Sequence, residues 1–208
     1  MTSTSPRPRR FVLGISGASG AVYALRLLEQ LLLLGCEVHL VVSDYGKRLL
    51  FDEAGISSFD FAHLCPTVAD ARAAERLVIH PNKDVGAVIA SGSFLHDGMV
   101  VLPCSSTSLG AIATGSGSNL LTRAAMVTLK ERRPLIICHR ETPLSHIDII
   151  NYTNLSLAGA IICPTNPGFY LHPQKVDDLV DFMVGKVMDL LRVEHALKTR
   201  WEEAGKAR

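Results

Sequence analysis

The chain has 208 residues, 48% hydrophobic and 20% charged, which is enough apolar material for one well-cored globular domain. Its 21 basic and 20 acidic residues nearly cancel to a formal net charge of +1, and no block of five or more basic residues occurs. A general nucleic-acid-binding field is thereby excluded, so any anion site must be a local collection of cations.

The first ten residues, MTSTSPRPRR, lack an apolar run. They are expected to form a disordered lead-in and not a secretory signal, leaving 11–208 as the domain. Short apolar strands then alternate with helix-length segments, the pattern of a mostly parallel sheet with helices on both faces. Residues 11–16 predict the first strand. Ala21, Ala24, Leu25, Leu28, Leu31 and Leu32 recur at helical spacing before Gly35. A second strand is expected at 37–43 and a helix at 44–53. The segment 55–76 has weak periodicity and predicts no defined element. Strands follow at 87–91 and 99–103, helices at 105–114 and 120–132, a strand at 135–139, a helix at 144–157 and a last strand at 160–163. From 174 to about 203 a long amphipathic helix is expected, with Val176, Leu179, Val180, Met183, Val187, Leu190 and Leu191 on one face. The run at 31–34 is far too short to span a bilayer.

Five cysteines, Cys36, Cys65, Cys104, Cys138 and Cys163, form no C-x-x-C pair, and the eight histidines show no H-x-x-x-H spacing. This argues against a zinc site and for reduced, buried thiols in a cytoplasmic protein. The first βα turn reads GISGASG, residues 14–20. Its small residues let the backbone approach a ligand, and the helix behind it offers free N–H groups. The spacing is G-x-x-G-x-x-G and not the dinucleotide G-x-G-x-x-G. Asp44, just past the second strand, stands at a loose version of the spacing of a ribose-binding acid. A second polar turn, Pro103-Cys104-Ser105-Ser106-Thr107-Ser108, follows a strand and opens a helix at the same sheet edge, where open α/β sheets bind ligands. Two such turns suit a mononucleotide held by neutral donors, although helix capping alone accounts for one or two of the hydroxyls. Arg123, Lys130, Arg140 and Lys186 supply cations near loops, and Arg140-Glu141 directly follows an apolar strand. The last strand opens into a loop carrying Phe169 and Tyr170.

Taken together, GISGASG, ASGSF, DGMVVLPCS, NLLTRAAMVTLKERRPL, HRETPLS, PGFYLHPQ and VDDLVDF, in this order between residues 11 and about 191, resemble the UbiX-type flavin prenyltransferases. These belong to the wider group of flavin-dependent cysteine decarboxylase-like flavoproteins. The resemblance implies a Rossmann-like subunit of a homo-oligomer, a dodecamer. It implies a metal-independent transfer of a dimethylallyl group from dimethylallyl phosphate to N5 and C6 of reduced FMN. The prenylated FMN then serves a UbiD-type decarboxylase. By motif, Gly17, Ala18 and Ser19 would hold the flavin. Ser43, Ser105, Ser106, Thr107 and Ser108 would bind its ribityl-phosphate portion. Arg140 would lie at the junction of flavin and prenyl phosphate, and Arg123, Lys130, Tyr170 and Lys186 would grip that phosphate. Glu141 would protonate the leaving phosphate, favoured by burial of its carboxyl, and Glu53 would remove the C6 proton. Three departures stand out: Val85 where some relatives have Trp, Lys186 in place of Arg, and Asp148 and Ile150 in place of an H-x-E pattern. A second enzyme class on the same fold, the FMN-dependent oxidative decarboxylases of peptidyl-cysteine-type substrates, carries P-x-M-N-x-x-M where this chain reads PTNPGFY.

Overall fold

The computed structural model describes residues 7–200. Six strands form one parallel sheet: β1 (Arg10–Ile15), β2 (Glu37–Val42), β3 (Leu77–His80), β4 (Gly98–Cys104), β5 (Leu135–His139) and β6 (Ile161–Ile162). Their spatial order is β3-β2-β1-β4-β5-β6. The expected α/β architecture with a Rossmann-like, mostly parallel sheet is therefore observed. The chain leaves β1 in one direction and returns beside it at β4, so the order reverses between these two strands. Such a switch point opens a crevice at the carboxyl ends of the strands.

Alternation along the strands builds two cores. Phe11, Leu13 and Ile15 of β1, with Val38, Leu40 and Val42 of β2, face α1 (Ala21–Leu33) and α8 (Val176–Leu190). Val12, Met99, Val101, Leu135 and Ile137 face α5 (Ser106–Ala113), α6 (Leu120–Lys130) and α7 (His146–Leu157). Helix α1 buries Ala21, Ala24, Leu27, Leu28, Leu31 and Leu32 completely, with Leu27 taking the core place expected of Leu25. Each such leucine contributes roughly 1.5–3 kcal/mol of transfer free energy.

Two expectations are corrected, at 87–91 and at the C-terminal helix, and the unassigned segment 55–76 is resolved. The strand expected at 87–91 is a single 3₁₀ turn, Val88–Ala90, between Gly86 and Gly92. Only Ile89 of it is buried, so too little apolar surface is gained to hold a strand in the sheet. The segment 55–76 contains α3 (Phe61–Leu64) and α4 (Ala71–Glu75), and the edge strand β3 directly follows it. At four residues, none of them fully buried, β3 is too short to show a period. The C-terminal helix ends at Leu190, well short of 203. Arg192, at φ 57, terminates it in a Schellman arrangement, with Val193 N–H bonded to Met188 O and Arg192 N–H to Asp189 O. The chain then folds back across α8, burying Val193 and Leu197. This return needs Gly185, because a Cβ there would lie 2.1 Å from Thr199 Cγ2. Residues 201–203 of the expected helix lie outside the described residues, as does most of the lead-in. Arg9 is anchored on the carbonyls of Leu191 and Arg192.

Just ahead of β4, at the amino ends of the strands, His96 is buried, its ring nitrogens bonded to Gly98 O (3.1 Å) and Thr128 Oγ1 (3.3 Å). Burial, helped by the charge of Arg133, lowers its pKa from 6.5 to about 4. The unfolded chain therefore takes up this proton first as pH falls below 6.5. The stabilisation is complete above that pH and is lost between 6.5 and about 4, a loss of order 3 kcal/mol. Thermal midpoints measured across this window should fall less steeply in His96→Gln, which keeps hydrogen-bonding atoms but cannot charge. An equally steep fall in the variant would remove His96 as the cause.

Candidate active site

The carboxyl ends of four strands, β2, β1, β4 and β5, gather around the switch point. Ser16, buried at the end of β1, donates its hydroxyl to Pro103 O (3.0 Å) and accepts the N–H of Ser105 (2.8 Å). These bonds fasten the glycine-rich turn after β1 to the polar turn after β4. Ser43 N–H bonds Ile15 O (2.9 Å), and its side chain caps α2 (Asp44–Ala54) through Gly46 N–H (2.9 Å). Gly17 packs against this first turn of α2, where a Cβ would sit 2.4 Å from Tyr45 Cβ. No other residue could bring the backbone so close. Ser105 caps α5 by accepting Ser108 N–H (3.3 Å). Arg140 N–H bonds Cys104 O (3.1 Å), which sets Arg140 beside the same turn.

Glu53 reaches this edge from the last turn of α2. Its Oε2 accepts the N–H groups of Gly20 (3.0 Å) and Ala21 (2.9 Å), filling the uncapped start of α1. Burial pushes its pKa up, but hydrogen bonds from the Ser19 side chain and these two amides, with the charge of Arg140, outweigh it. The carboxyl is thus held below the usual range and is ionised at neutral pH. Glu141 follows Arg140 and accepts Thr142 N–H (3.1 Å). In the single chain it is exposed, so the burial expected of its carboxyl is not found there. Ser106, Thr107 and Glu141 line one cleft of about 640 Å³, and Arg140 and Glu141 a second of about 260 Å³.

His139 and Tyr152, not singled out from the sequence, and Asp148, noted there only as a departure from the family pattern, complete this edge. His139, buried at the end of β5, bonds Ser106 Oγ through Nε2 (3.0 Å) and the Tyr152 hydroxyl through Nδ1 (2.7 Å). Burial lowers its pKa, favouring the neutral ring. Asp148 bonds Ser145 in a capping box and also takes a hydrogen bond from Ser106. The neutral His139 ring thus links the Tyr152 hydroxyl on α7 to the Ser106 hydroxyl at the start of α5, donating through one nitrogen and accepting through the other. The spacing of Ser145 and Asp148, S-x-x-D ahead of a helix, was the one signal available in the sequence.

The prenyl-phosphate set does not converge within one chain. Tyr170 and Lys186 line a cleft of about 650 Å³ that meets the Arg140 cleft at Pro164 and Asn166. The Tyr170 hydroxyl there donates to Thr199 O (3.1 Å). Arg123 is exposed near the start of α6, and Lys130 is its last residue, ion-paired with Glu131. Lys130 precedes β5 and Arg140 follows it, so the length of that strand, about 16 Å, lies between their backbones.

One observation bears directly on a flavin. Arg140 Nε is buried without a hydrogen-bond partner among the described residues. A buried guanidinium donor left unmet is costly, and a polar or anionic ligand at this edge satisfies it. Around it are the close-approach turn at Gly17 and the hydroxyls of Ser105 and Ser108, so the residues present fit FMN.

The Flavoprotein family model matches residues 1–188. The flavin prenyltransferase LpdB of Lactiplantibacillus plantarum is 46% identical over 195 residues, covering 93% of this chain and 98% of that protein. The fold superposes on AnUbiX (PadA1), solved in complex with FMN and dimethylallyl pyrophosphate, with a TM-score of 0.80 and 37% identity, covering 90% of this chain and 94% of that one. It also matches a dodecameric FMN-dependent UbiX-like decarboxylase from Escherichia coli O157:H7, with a TM-score of 0.83 and 38% identity over 92% of this chain and 98% of that one. Identity at this level over nearly the whole length, on a sheet whose switch point carries the expected motifs, makes this chain a member of the Flavoprotein family and, within it, of the UbiX-type flavin prenyltransferases.

Proposed function

We infer that this protein transfers a dimethylallyl group from dimethylallyl phosphate to reduced FMN, giving prenylated FMN for a UbiD-type decarboxylase. The observation that carries the site assignment is the unmet, buried Nε of Arg140 beside two small-residue turns. When bound, reduced FMN supplies the electron-rich N5 and C6 positions at which carbon is attached.

The protein's own groups bind, orient and move protons. Gly17, Ala18 and Ser19 present backbone and hydroxyl to the flavin. Ser43, Ser105, Ser106, Thr107 and Ser108 offer neutral donors to its ribityl phosphate, with the chain from Tyr152 fixing the Ser106 hydroxyl. Arg140 bonds at the junction with the prenyl phosphate. A leaving phosphate carries about two negative charges, and Lys186, Lys130 and Arg123 stabilise the charge growing on its bridging oxygen. Glu141 gives that oxygen a proton. Glu53, already ionised, accepts the proton lost from the acceptor ring.

Lys130 and Arg123 serve a neighbouring copy's site in this reading, because β5 separates Lys130 from Arg140 in its own chain. The exposed apolar side chains of α7, Ile147 at 69% and Leu157 at 83%, suit burial between copies, and we take the assembly to be a dodecamer. Among the described residues no helix is long and apolar enough to cross a membrane. We take the reaction to be cytoplasmic, where five thiols, four of them buried, would stay reduced. The product should be transferable. Filtrate from an anaerobic incubation with reduced FMN and dimethylallyl phosphate is expected to activate an apo UbiD-type decarboxylase, whereas filtrate lacking the prenyl donor is not. Equal activation by both filtrates would overturn the reading.

A further inference from the structure

Cys138 and Cys163 face each other across the last two strands. Cys163 N–H donates to Ile137 O (2.9 Å), carrying the β5–β6 register of Ile136 with Ile161 and Ile137 with Ile162 one residue further. Opposed residues on neighbouring strands point to the same face about 4.8 Å apart. That lies within the roughly 4.4–6.8 Å Cα separation that a disulfide requires. Both sulfurs face α8, Cys138 inside the core and Cys163 at its margin. Cys163 also lines the 650 Å³ cleft with Lys186 and Tyr170, so a small reagent can reach it.

The two thiols are polarised in opposite directions. A hydrogen bond from Cys138 lowers the pKa of Cys163 against the effect of burial, and the Lys186 ammonium lowers it further. The same bond and complete burial raise that of Cys138. Burial raises the other three thiols, Cys65 to about 12. Cys163 is therefore the cysteine that lines an open cleft beside a cation, Lys186, and it has a second sulfur directly opposite.

We infer that Cys138 and Cys163 form a redox-active pair in which Cys163 reacts with hydroperoxide and Cys138 resolves the product to a disulfide. Hydrogen peroxide is the oxidant, and it arises wherever a reduced flavin meets dioxygen. The Cys163 thiolate attacks one peroxide oxygen, the O–O bond breaks, and the other oxygen leaves as hydroxide and is protonated to water. Cys163 is then a sulfenic acid. The Cys138 sulfur displaces its hydroxyl, which departs with the Cys138 proton as a second water. The two electrons lost by the thiols reside on the peroxide oxygens. This pair stands independently of prenyl transfer.

The test uses the assembled, reduced protein treated with a few equivalents of hydrogen peroxide, quenched, then unfolded in denaturant with N-ethylmaleimide so that every remaining thiol is reachable, with peptide mapping by mass. Two of the five thiols should escape alkylation, in a linked 138–163 peptide pair that dithiothreitol releases. Cys138→Ser should stop at a sulfenic acid on Cys163 that dimedone traps, and Cys163→Ser should leave Cys138 alkylatable. Without peroxide, iodoacetamide at neutral pH should label Cys163 at least about tenfold faster than the other four. Five alkylatable thiols after peroxide, or first oxidation at Cys36, Cys65 or Cys104, would overturn the assignment; neither result depends on a variant folding.

Discussion

Lys130→Ala and Arg140→Ala chains, each nearly inactive when pure, should regain about a quarter of wild-type turnover when dissociated, mixed equally and reassembled. The expectation follows from placement. Lys130 ends α6 ahead of β5 and Arg140 follows β5, so one chain cannot offer both to one phosphate. A site with Arg140 from one copy and Lys130 from another is intact whenever both happen to be wild type at those positions. Each loss alone removes charge-assisted hydrogen bonds of about 1.5–3 kcal/mol, a factor of roughly 10–100 in use of the prenyl donor. FMN binding should suffer in Arg140→Ala and hold in Lys130→Ala. If mixed assemblies stay as inactive as their parents, the site is not shared, and Lys130 returns to being a helix-end cation paired with Glu131.

The second large effect separates the two glutamates. Glu141→Gln should leave FMN unmodified, because the amide cannot deliver a proton to the departing phosphate. Glu53→Gln should permit the first carbon–nitrogen bond and stall before ring closure, because it cannot accept the ring proton. Flavins extracted from stopped turnovers should therefore show a singly attached prenyl group with Glu53→Gln alone. The structure sharpens this contrast. Glu53 lies against Ser19, Gly20 and Ala21 and is held ionised, as a base must be. Its amide variant keeps an oxygen for the two backbone N–H groups, so the turn should survive. Normal yield of the cyclised flavin from Glu53→Gln would reduce Glu53 to a cap on α1.

The sheet and most of the flavin edge were legible in the sequence because both depend on local signals. β5 was read at its observed bounds, since five consecutive apolar or buried residues stand between a proline and a charged pair. The turns at Gly17 and Ser105 declared themselves through small residues between a strand and a helix. The end of α8 was hidden, because the residues that stop it carry no breaker. A left-handed arginine terminates it, and the reward is burial of Val193 and Leu197, distant in space from what a helical pattern can report. His139 and Tyr152 were missed for a related reason. Their hydrogen bonds join a strand end to two helices, and no spacing along the chain encodes that meeting. Convergence of the cations on one phosphate was expected from their motifs, yet the sequence could not say that Lys130 and Arg140 would fold to opposite ends of β5.

If this protein attaches a five-carbon unit to FMN, the mass and absorption spectrum of the extracted flavin will register it. Purified protein would be incubated anaerobically with reduced FMN and dimethylallyl phosphate, the flavin extracted, and its mass compared with an incubation lacking the prenyl donor. A flavin heavier by one prenyl unit, with an altered spectrum, is expected in the complete mixture alone. Recovery of unmodified FMN from the complete mixture, by protein that demonstrably binds FMN, would contradict it.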